Sequence, residues 1–505
     1  MSDIILATLN ARYNHASLGL RYLYANMGDL QAQTQLLEFT IANRPIDIAE
    51  KLLEHQPKII GLGIYIWNIE ESLHLVALLK QVSPEVIIVL GGPEVSYETQ
   101  QQEIVEWADY VITQQGEISF PALCQQLLAQ QKPLNSIIKG IAAPLDQLAL
   151  PYQYYTAEDI QHRFVYLEAS RGCPFKCEFC LSALDKTAKP FELGKFLDAA
   201  SQLYERGLRH FKFVDRTFNL KIATTIKILE FFLARMDETL FLHFELIPDH
   251  LPERLKTVIQ RFPEGSLQFE VGIQTFDPAV QAKISRKQNN QKSKDNLRWL
   301  REQSHAYLHT DLIFGLPDET LESFADSFNQ LYALRPHEIQ VGILKRLRGS
   351  PIIRHTENHQ LVFNPKPPYN ILSHRDVDFL TMQKMNRFAR YWDMIGNSGR
   401  FSHTLPLILA EQAFQNFWDL SQYLFATSQQ THKIALNRLF DFVYQALTIV
   451  LNVNSERAKK VMLMDYQACK MKGVPNFLRE KIPNTSCLPK KKSSNRQQRQ
   501  LRHQQ

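Results

Sequence analysis

The sequence predicts an α/β protein in three parts: a Rossmann-like domain, a partial (β/α)6 parallel barrel, and an all-helical C-terminal domain. Short apolar runs alternate with helical patterns over residues 1–145, and a second series of this kind follows over residues 163–372. From residue 373 apolar and aromatic residues recur at helical spacing. The length of 505 residues is consistent with about three domains, at roughly 150 residues each.

The amino-acid composition of the chain indicates which class of protein it is. Hydrophobic residues are 45% and charged residues 22% of the chain, as in soluble globular proteins. This excludes a collagen-like chain, a mostly disordered chain and a small disulfide scaffold. No run of 18 apolar residues predicts a membrane span, and the N-terminus lacks the pattern of a signal peptide. We therefore expect a cytoplasmic protein that makes no contact with a membrane.

The net charge of +5 is unevenly distributed. Six cations and no acid lie from Lys490 onward, which leaves a net charge of −1 on the remainder. The tail over residues 476–505 is rich in Gln, Ser and Asn, a composition typical of disorder. The alternative is a weak electrostatic arm for RNA or another polyanion.

The first domain, residues 1–145, contains five predicted strands. They are residues 4–9, 35–40, 58–67, 86–90 and 110–113. Continuous apolar strands alternating with helices indicate a parallel sheet that is covered on both faces. Ligands of such sheets bind at the carboxyl ends of the strands, where Gly91, Gly92 and Ser96 follow the fourth strand. The alternative is an ordinary tight turn. No Gly-x-Gly-x-x-Gly follows the first strand, so a dinucleotide site is disfavoured.

Residues 146–162 are predicted to be a linker, and the barrel is predicted over residues 163–372. Its six strands are residues 165–169, 210–214, 239–247, 267–272, 307–314 and 338–344. Six parallel strands, each followed by a helix or loop, are typical of a partial or complete barrel.

The helical domain is predicted over residues 373–475. Helical spacing is found at residues 376–395, 405–426 and 431–453. Its aromatic stripes indicate a helix core, or a lid that lines a substrate cavity.

Three cysteines within eight residues are the most informative feature of the sequence. Cys173, Cys177 and Cys180 have the spacing Cys-x3-Cys-x2-Cys. Cysteines so close in sequence can converge on one metal centre, and three thiolates are one short of a closed four-ligand shell. The pattern favours an iron–sulfur cluster with one open iron, which is a catalytic arrangement. A zinc site completed by a distant His is the alternative. The remaining cysteines have no motif, and Cys124 is expected to be a core thiol.

This segment, with Phe179 before the third Cys at the end of a first barrel strand, resembles the radical S-adenosylmethionine superfamily. The resemblance implies a [4Fe-4S] cluster held by the three cysteines, whose free iron binds S-adenosylmethionine. It implies one-electron cleavage to a 5′-deoxyadenosyl radical. It also implies that four positions on the later strands hold S-adenosylmethionine: Glu270, Gln274, Arg286 and the Gly315 turn. The segment Asp215–Asn219 is similar to the second-strand segment of that family.

The first domain resembles the cobalamin-binding domain of one subgroup of that superfamily. The matching segments are residues 61–68, 89–96 and 108–117, and the resemblance implies that Gly91, Gly92 and Ser96 face a corrin or its nucleotide tail. The Asp-x-His-x-x-Gly motif of cobalamin proteins is absent, although Asn14, His15 and Gly19 lie in the corresponding loop. The alternative is a flavodoxin-like scaffold without a corrin. The C-terminal region resembles an extra domain of an uncharacterised branch of these enzymes.

The resemblance implies a cobalamin-dependent radical enzyme that transfers a methyl group to an unactivated centre. It would require a small-molecule substrate and a one-electron reductase of flavodoxin or ferredoxin type. Rearrangement, oxidation or RNA modification without methyl transfer is the alternative enzyme. A metal-binding interaction protein without catalysis is the non-enzymatic alternative.

Overall fold

The computed structural model describes residues 2–469 and 473–479. The chain divides into two compact units, which are described in turn. The first comprises the residues up to 245 together with 345–353 and 364–370, and the second comprises 246–344, 354–363 and the residues from 371 onward. Within the described residues, no helix combines the length and the apolar character that crossing a membrane requires.

The first unit begins with a six-stranded parallel sheet in the order β2-β1-β3-β4-β5-β6. Its strands are β1 (Ile4–Asn10), β2 (Thr34–Thr40), β3 (Ile59–Gly63), β4 (Ile87–Gly91), β5 (Tyr110–Thr113) and β6 (Ile137–Lys139). Its helices are α1 (Leu18–Ala25), α2 (Pro45–Leu53), α3 (Ile69–Val82), α4 (Glu103–Trp107) and α5 (Ser119–Leu128). The order confirms the predicted Rossmann-like arrangement, with β6 as an additional strand.

Both faces of this sheet are buried. Ile5, Ala7 and Leu9 of β1 belong to one apolar cluster, whereas Ile4 and Leu6 belong to another. Successive side chains of a strand point to opposite faces, so a strand that is covered on both sides must be apolar throughout. This explains why these strands are continuous apolar runs.

The predicted linker contains a short helix, α6 (Ala157–His162). Thr156 and Asp159 form a capping box at its start, each side chain accepting a hydrogen bond from the other residue's backbone N–H. Arg21 of α1 holds this helix through an ion pair of 2.8 Å to Asp159. The segment is therefore held against helix α1 of the first domain.

The first unit also contains three parallel barrel strands, paired in the order β7-β10-β11. The elements of this region are β7 (Val165–Leu167), β8 (Ser170–Arg171), β9 (Lys189–Pro190), α7 (Leu193–Glu205), β10 (His210–Phe213), α8 (Ile222–Leu233) and β11 (Phe241–Glu245). Strands β8 and β9 pair antiparallel and enclose the cysteines.

The second unit contains the other three parallel strands, paired in the order β12-β13-β14. Its first elements are α9 (Glu253–Ile259), β12 (Leu267–Gln274), α10 (Pro278–Lys283), α11 (Asn290–Gln303), β13 (Tyr307–Phe314), α12 (Leu321–Ala333) and β14 (Glu338–Ile343). A helix precedes or follows each strand, as the barrel prediction requires.

The remainder of the second unit is mostly helical. Its elements are α13 (Thr356–His359), β15 (Val362–Phe363), β16 (Ile371–Ser373), α14 (Phe379–Ile395), α15 (Leu405–Leu409), α16 (Ala413–Ser428), α17 (Leu436–Gln445), a π-helical turn (Ala446–Val450) and α18 (Ser455–Cys469). The tail predicted over residues 476–505 lies outside the described residues, apart from 476–479.

The aromatic stripes of the helical region form its core. The rings of Phe388 and Phe414 are 5.0 Å apart, and those of Trp392 and Phe417 are also 5.0 Å apart. The Trp392 indole N–H donates to the Ile339 carbonyl at 2.8 Å, which fixes α14 on β14. These rings therefore have the core role that helical spacing indicated.

Candidate functional site

A cavity of about 270 Å³ lies at the carboxyl ends of the strands of the first sheet. Six glycines contribute to its lining: Gly19, Gly61, Gly63, Gly91, Gly92 and Gly116. A Cβ on Gly61 would lie 2.7 Å from the Phe120 ring, and one on Gly92 would lie 2.4 Å from the Ile64 carbonyl oxygen. Both positions exclude a side chain, so bare backbone borders this glycine cavity.

The glycine cavity is apolar towards the sheet and polar beyond the strand ends. Its apolar residues come from the sheet and its helices: Leu6, Leu20, Leu23, Leu62, Val89, Leu90, Ile112 and Phe120. Its polar residues follow β3, β5 and β7: Tyr65, Gln114, Gln115, Glu117 and Arg171. Such a cavity fits a flat, largely apolar group that carries polar substituents at one end.

Gly91 and Gly92 line the glycine cavity, whereas Ser96 is not among its lining residues. The Ser96 hydroxyl donates to the Gly92 carbonyl at 2.7 Å and accepts from the Gln114 N–H at 2.8 Å. Ser96 therefore ties the turn after β4 to the turn after β5, and its polar group is used in doing so.

His15, the histidine of the first loop, points elsewhere. Its Nδ1 is 2.5 Å from the Tyr166 hydroxyl, and its ring is stacked on that of Tyr166. Burial lowers the pKa of His15. The described residues that line the glycine cavity include no histidine, so the cavity offers no imidazole to a metal.

The three cysteines lie in a loop, residues 172–188, which we call the cluster loop. Gly172 has φ +89°, and a Cβ there would lie 2.0 Å from the Thr187 carbonyl oxygen. The Cys173 N–H donates to the Asp185 carbonyl at 2.9 Å, across the base of the loop. The backbone thus closes the loop on itself.

The three thiols lie near one another in the cluster loop. Burial raises the pKa of Cys173, and the neighbouring Cys180 and Cys177 raise it further. No three His, Cys, Asp or Glu side chains of the described chain converge on a single ion. A zinc ion needs its thiolates at about 2.3 Å, whereas the cysteines of a cubane bind separate irons and stand farther apart. A donor set of three cysteines on one short loop fits a cubane with one open iron.

Asp215 fixes the strand that leads into the cluster loop. Its carboxylate accepts hydrogen bonds from the Ala169 N–H at 2.9 Å and from the Ser170 hydroxyl at 2.6 Å. Burial raises the pKa of Asp215 to about 6, despite these hydrogen bonds. Asp215, the first residue of the segment that resembles the family, therefore fixes the chain just before the cluster loop.

In the second unit, the turn after β13 is built around Gly315. This residue has φ +92°, and a Cβ there would lie 2.7 Å from the Ile371 side chain. Its N–H and that of Leu316 donate to Glu319 Oε2 at 2.9 and 3.3 Å. Glu319 is fully buried, and burial raises its pKa well above the ordinary value. Glu319 is not among the predicted site residues, although it lies four residues after the glycine.

The end of β12 carries Gln274 and the residues around it. Gln274 has φ +69° and follows a register shift in the pairing with β13. Its side-chain Oε1 is buried and has no hydrogen-bond partner among the described residues. The Arg286 guanidinium donates to the Gly272 carbonyl and to Gln288. Arg286 thereby holds the irregular strand end from which Gln274 projects.

Glu270 lies deeper on β12, in a polar row across three strands. It is in register with His309 of β13, which is in register with Glu338 of β14. His309 Nδ1 is 2.9 Å from Glu338 and its Nε2 is 3.3 Å from Asp311. Burial acts to lower the pKa of His309, but the two carboxylates outweigh it and raise the pKa to about 10. The sequence gives no local signal for the pairing of Glu270, His309 and Glu338, because these residues are 29 residues apart or more.

Three family models match consecutive parts of the chain. Residues 4–124 match the B12 binding domain, residues 167–331 the radical SAM superfamily, and residues 357–504 a protein of unknown function, DUF4080. The chain therefore combines a B12-binding domain with a radical SAM domain. The matches confirm the predicted fold class and agree with the resemblance drawn from the cysteine spacing and the first-domain segments.

The chain is also similar to curated proteins. The chain is 26% identical over 340 residues to the cobalamin-dependent radical SAM methyltransferase TokK of Streptomyces tokunonensis, covering 59% of this chain and 48% of TokK. The chain spans about half the length of the curated relatives it matches.

Two solved structures share the fold. TsrM from Kitasatospora setae, a radical S-adenosylmethionine methyltransferase solved with cobalamin and a [4Fe-4S] cluster, gives a TM-score of 0.59 at 14% identity, covering 93% of this chain and all of that one. The cobalamin-dependent radical enzyme OxsB, solved with aqua-cobalamin, gives 0.61 at 15% identity, covering 92% and 80%. At these identities the likeness concerns the fold alone.

Proposed function

We propose that this chain is a cobalamin-dependent radical S-adenosylmethionine enzyme that transfers a methyl group to an unactivated centre of a small-molecule substrate. The observation that carries the proposal is the presence, within one unit, of a loop with three closely spaced cysteines and a glycine-lined cavity. TokK, to which the chain is 26% identical over 340 residues, is described as a cobalamin-dependent radical SAM methyltransferase.

Cys173, Cys177 and Cys180 would hold a [4Fe-4S] cluster. When bound, the cluster, S-adenosylmethionine and cobalamin supply one-electron cleavage of a sulfur–carbon bond and a carrier for the methyl group. The cluster loop limits access of water to two of the three thiols, because Cys173 and Cys177 are buried and Cys180 is half-buried.

The glycine cavity would take the flat nucleotide tail of cobalamin. Its size excludes the whole macrocycle, and its apolar interior suits an aromatic base. Gly91 and Gly92 would border that base through their backbone, and Ser96 would keep the two surrounding turns together.

Gln274, Arg286 and the Gly315 turn would position S-adenosylmethionine. The Gln274 Oε1 is a buried acceptor available to a ligand donor. Arg286 maintains the strand end beside it, and Glu319 fixes the Gly315 backbone that would approach the adenine. Glu270 would act through the polar row, where it raises the pKa of Asp311 together with burial.

The test is an anaerobic assay with S-adenosylmethionine and a one-electron donor of flavodoxin type. The products 5′-deoxyadenosine and S-adenosylhomocysteine are quantified with and without hydroxocobalamin. We expect 5′-deoxyadenosine from the wild type and S-adenosylhomocysteine only with the corrin. Cys177→Ala should give neither, whereas Cys124→Ala, which changes a core thiol outside the cluster loop, should give both.

Two outcomes would overturn parts of this proposal. Production of 5′-deoxyadenosine by Cys177→Ala would contradict the cluster assignment. Formation of S-adenosylhomocysteine that is independent of the corrin would contradict cobalamin-dependent methyl transfer and favour the non-methylating chemistry.

A further inference from the structure

Arg171 belongs to two sites at once. Its side chain lines the glycine cavity, and its backbone lies two residues before Cys173, where it pairs with Lys189 across β8 and β9. Neither the cysteine spacing nor the glycine turns indicated this residue.

Fixed partners surround the Arg171 guanidinium. Its Nη1 is 2.6 Å from Glu117 Oε1, and its Nε is 3.0 Å from both carboxylate oxygens of Glu168. Its Cζ lies 4.6 Å from the centre of the Tyr22 ring. The Arg171 side chain is only 14% exposed, so its orientation is set by these three contacts.

Glu117, the ion-pair partner of Arg171, also lines the glycine cavity. It directly follows Gly116, and both residues line the cavity. The Arg171–Glu117 ion pair therefore joins the turn after β5 to the strand that enters the cluster loop.

The connection from Arg171 to Cys173 is short and tightly packed. Gly172 between them lies so close to the Thr187 carbonyl that no side chain fits. The Cys173 N–H is bound to the Asp185 carbonyl. A displacement of the Arg171 backbone must therefore move Cys173 or break these contacts.

We propose that Arg171 is a positioning residue that couples occupancy of the glycine cavity by the nucleotide tail of cobalamin to the conformation of the cluster loop. A group that fills the cavity removes water from the Arg171–Glu117 pair, and an ion pair strengthens as the local dielectric falls. The stronger ion pair holds strand β8, which leads directly to Cys173. This inference rests on the proposed function, because it takes the corrin and the cluster as the two ligands.

Coupling between two sites is reciprocal, so the cluster must affect corrin affinity as the corrin affects the cluster loop. Corrin affinity can therefore be measured without any turnover. Hydroxocobalamin is titrated into anaerobic wild-type protein with and without a reconstituted cluster, and Kd is obtained from the visible spectrum. We expect Kd to be at least about fivefold lower with the cluster, the lower end of typical coupling factors.

Arg171→Gln should reduce that ratio to within about twofold, the usual error of such comparisons. Glu117→Gln should do the same, and it provides a second variant if Arg171→Gln fails to fold. Arg171→Lys should restore part of the ratio, because it keeps the charge but loses the planar fork. Arg44→Gln is the matched control: Arg44 is an exposed arginine paired with Asp47, and its removal should leave the ratio at the wild-type value.

The outcomes separate this inference from the proposed function. Equal Kd values for the wild type with and without the cluster would overturn the coupling and leave the cofactor assignment intact. A wild-type ratio retained in both Arg171→Gln and Glu117→Gln would also overturn it. Absence of corrin binding in every form would overturn the proposed function itself.

Discussion

At the scale of single residues, glycine backbone shapes both candidate cofactor sites of the first unit. Gly92 and Gly172 have positive φ and lie against a carbonyl oxygen that leaves no room for a Cβ. The strain of placing an L-residue in such a conformation is about 1–3 kcal/mol, and the collision adds to it.

Gly92→Ala should therefore weaken corrin binding by more than about tenfold, which corresponds to 1.4 kcal/mol. Gly207→Ala is its control, because Gly207 also has positive φ, at +98°, but has no atom within 4 Å of its Cβ position. Visible titration with hydroxocobalamin measures both variants. An unchanged Kd for Gly92→Ala would refute the assignment of the glycine cavity.

Residues of the sites differ in how visible they are in the sequence. The cysteines and the glycine turns follow local rules, since close spacing and tight turns are short-range properties. Arg171 and His309 acquire their roles from partners that are 54 and 29 residues away. No local pattern records such a pairing, so these residues could be found only from the folded chain.

At the scale of elements, the polar row of β12, β13 and β14 makes stability depend on pH. The folded pKa of His309, about 10, lies above the unfolded value near 6.5. Its contribution to stability is fully present below pH 6.5 and is lost as the pH rises towards 10.

Between pH 6 and pH 9.5 the wild type should therefore lose more stability than His309→Gln, which lacks this proton. The midpoint of urea unfolding of the cluster-free protein, followed by circular dichroism, measures the difference. Parallel decreases in the wild type and the variant would show that His309 is not charged in the folded chain.

The buried ion pairs of Arg21, which anchor α6, lead to a second prediction about stability. Arg21 is buried and pairs with Glu38 and Asp159, both at 2.8 Å. Removal of one partner from a buried ion pair costs about 3–5 kcal/mol, so Arg21→Met should lower the unfolding midpoint markedly. Arg44→Met removes an exposed pair and should leave the midpoint unchanged; equal effects of the two variants would contradict the anchoring of α6.

Elements with a strong periodic pattern were predictable from the sequence. Short elements, and the points at which longer ones are interrupted, were not. The predicted strand over 58–67 ends at Gly63, because Asn68 accepts a hydrogen bond from the Tyr65 N–H at 2.8 Å and turns the chain. The helix predicted over 405–426 is interrupted at Ala410, where φ is +41°. Strand β6 has only three residues, too few to give a periodic signal.

At the scale of the whole molecule, strand–helix alternation was sufficient to predict the fold class. Continuous apolar strands specify a sheet with two covered faces, and the chain has two such series followed by helices. The three family models match these regions in the same order along the chain. The substrate has no such signature, since the residues that line a substrate site come from separate loops.

The central claim is that one chain binds both a [4Fe-4S] cluster and cobalamin. Its most direct test is anaerobic reconstitution with iron, sulfide and hydroxocobalamin, followed by desalting, a visible spectrum and a metal count. We predict a broad cluster absorption with about four irons and about one cobalt per chain. Retention of zinc with a featureless spectrum, or an iron cluster without cobalt, would contradict the claim.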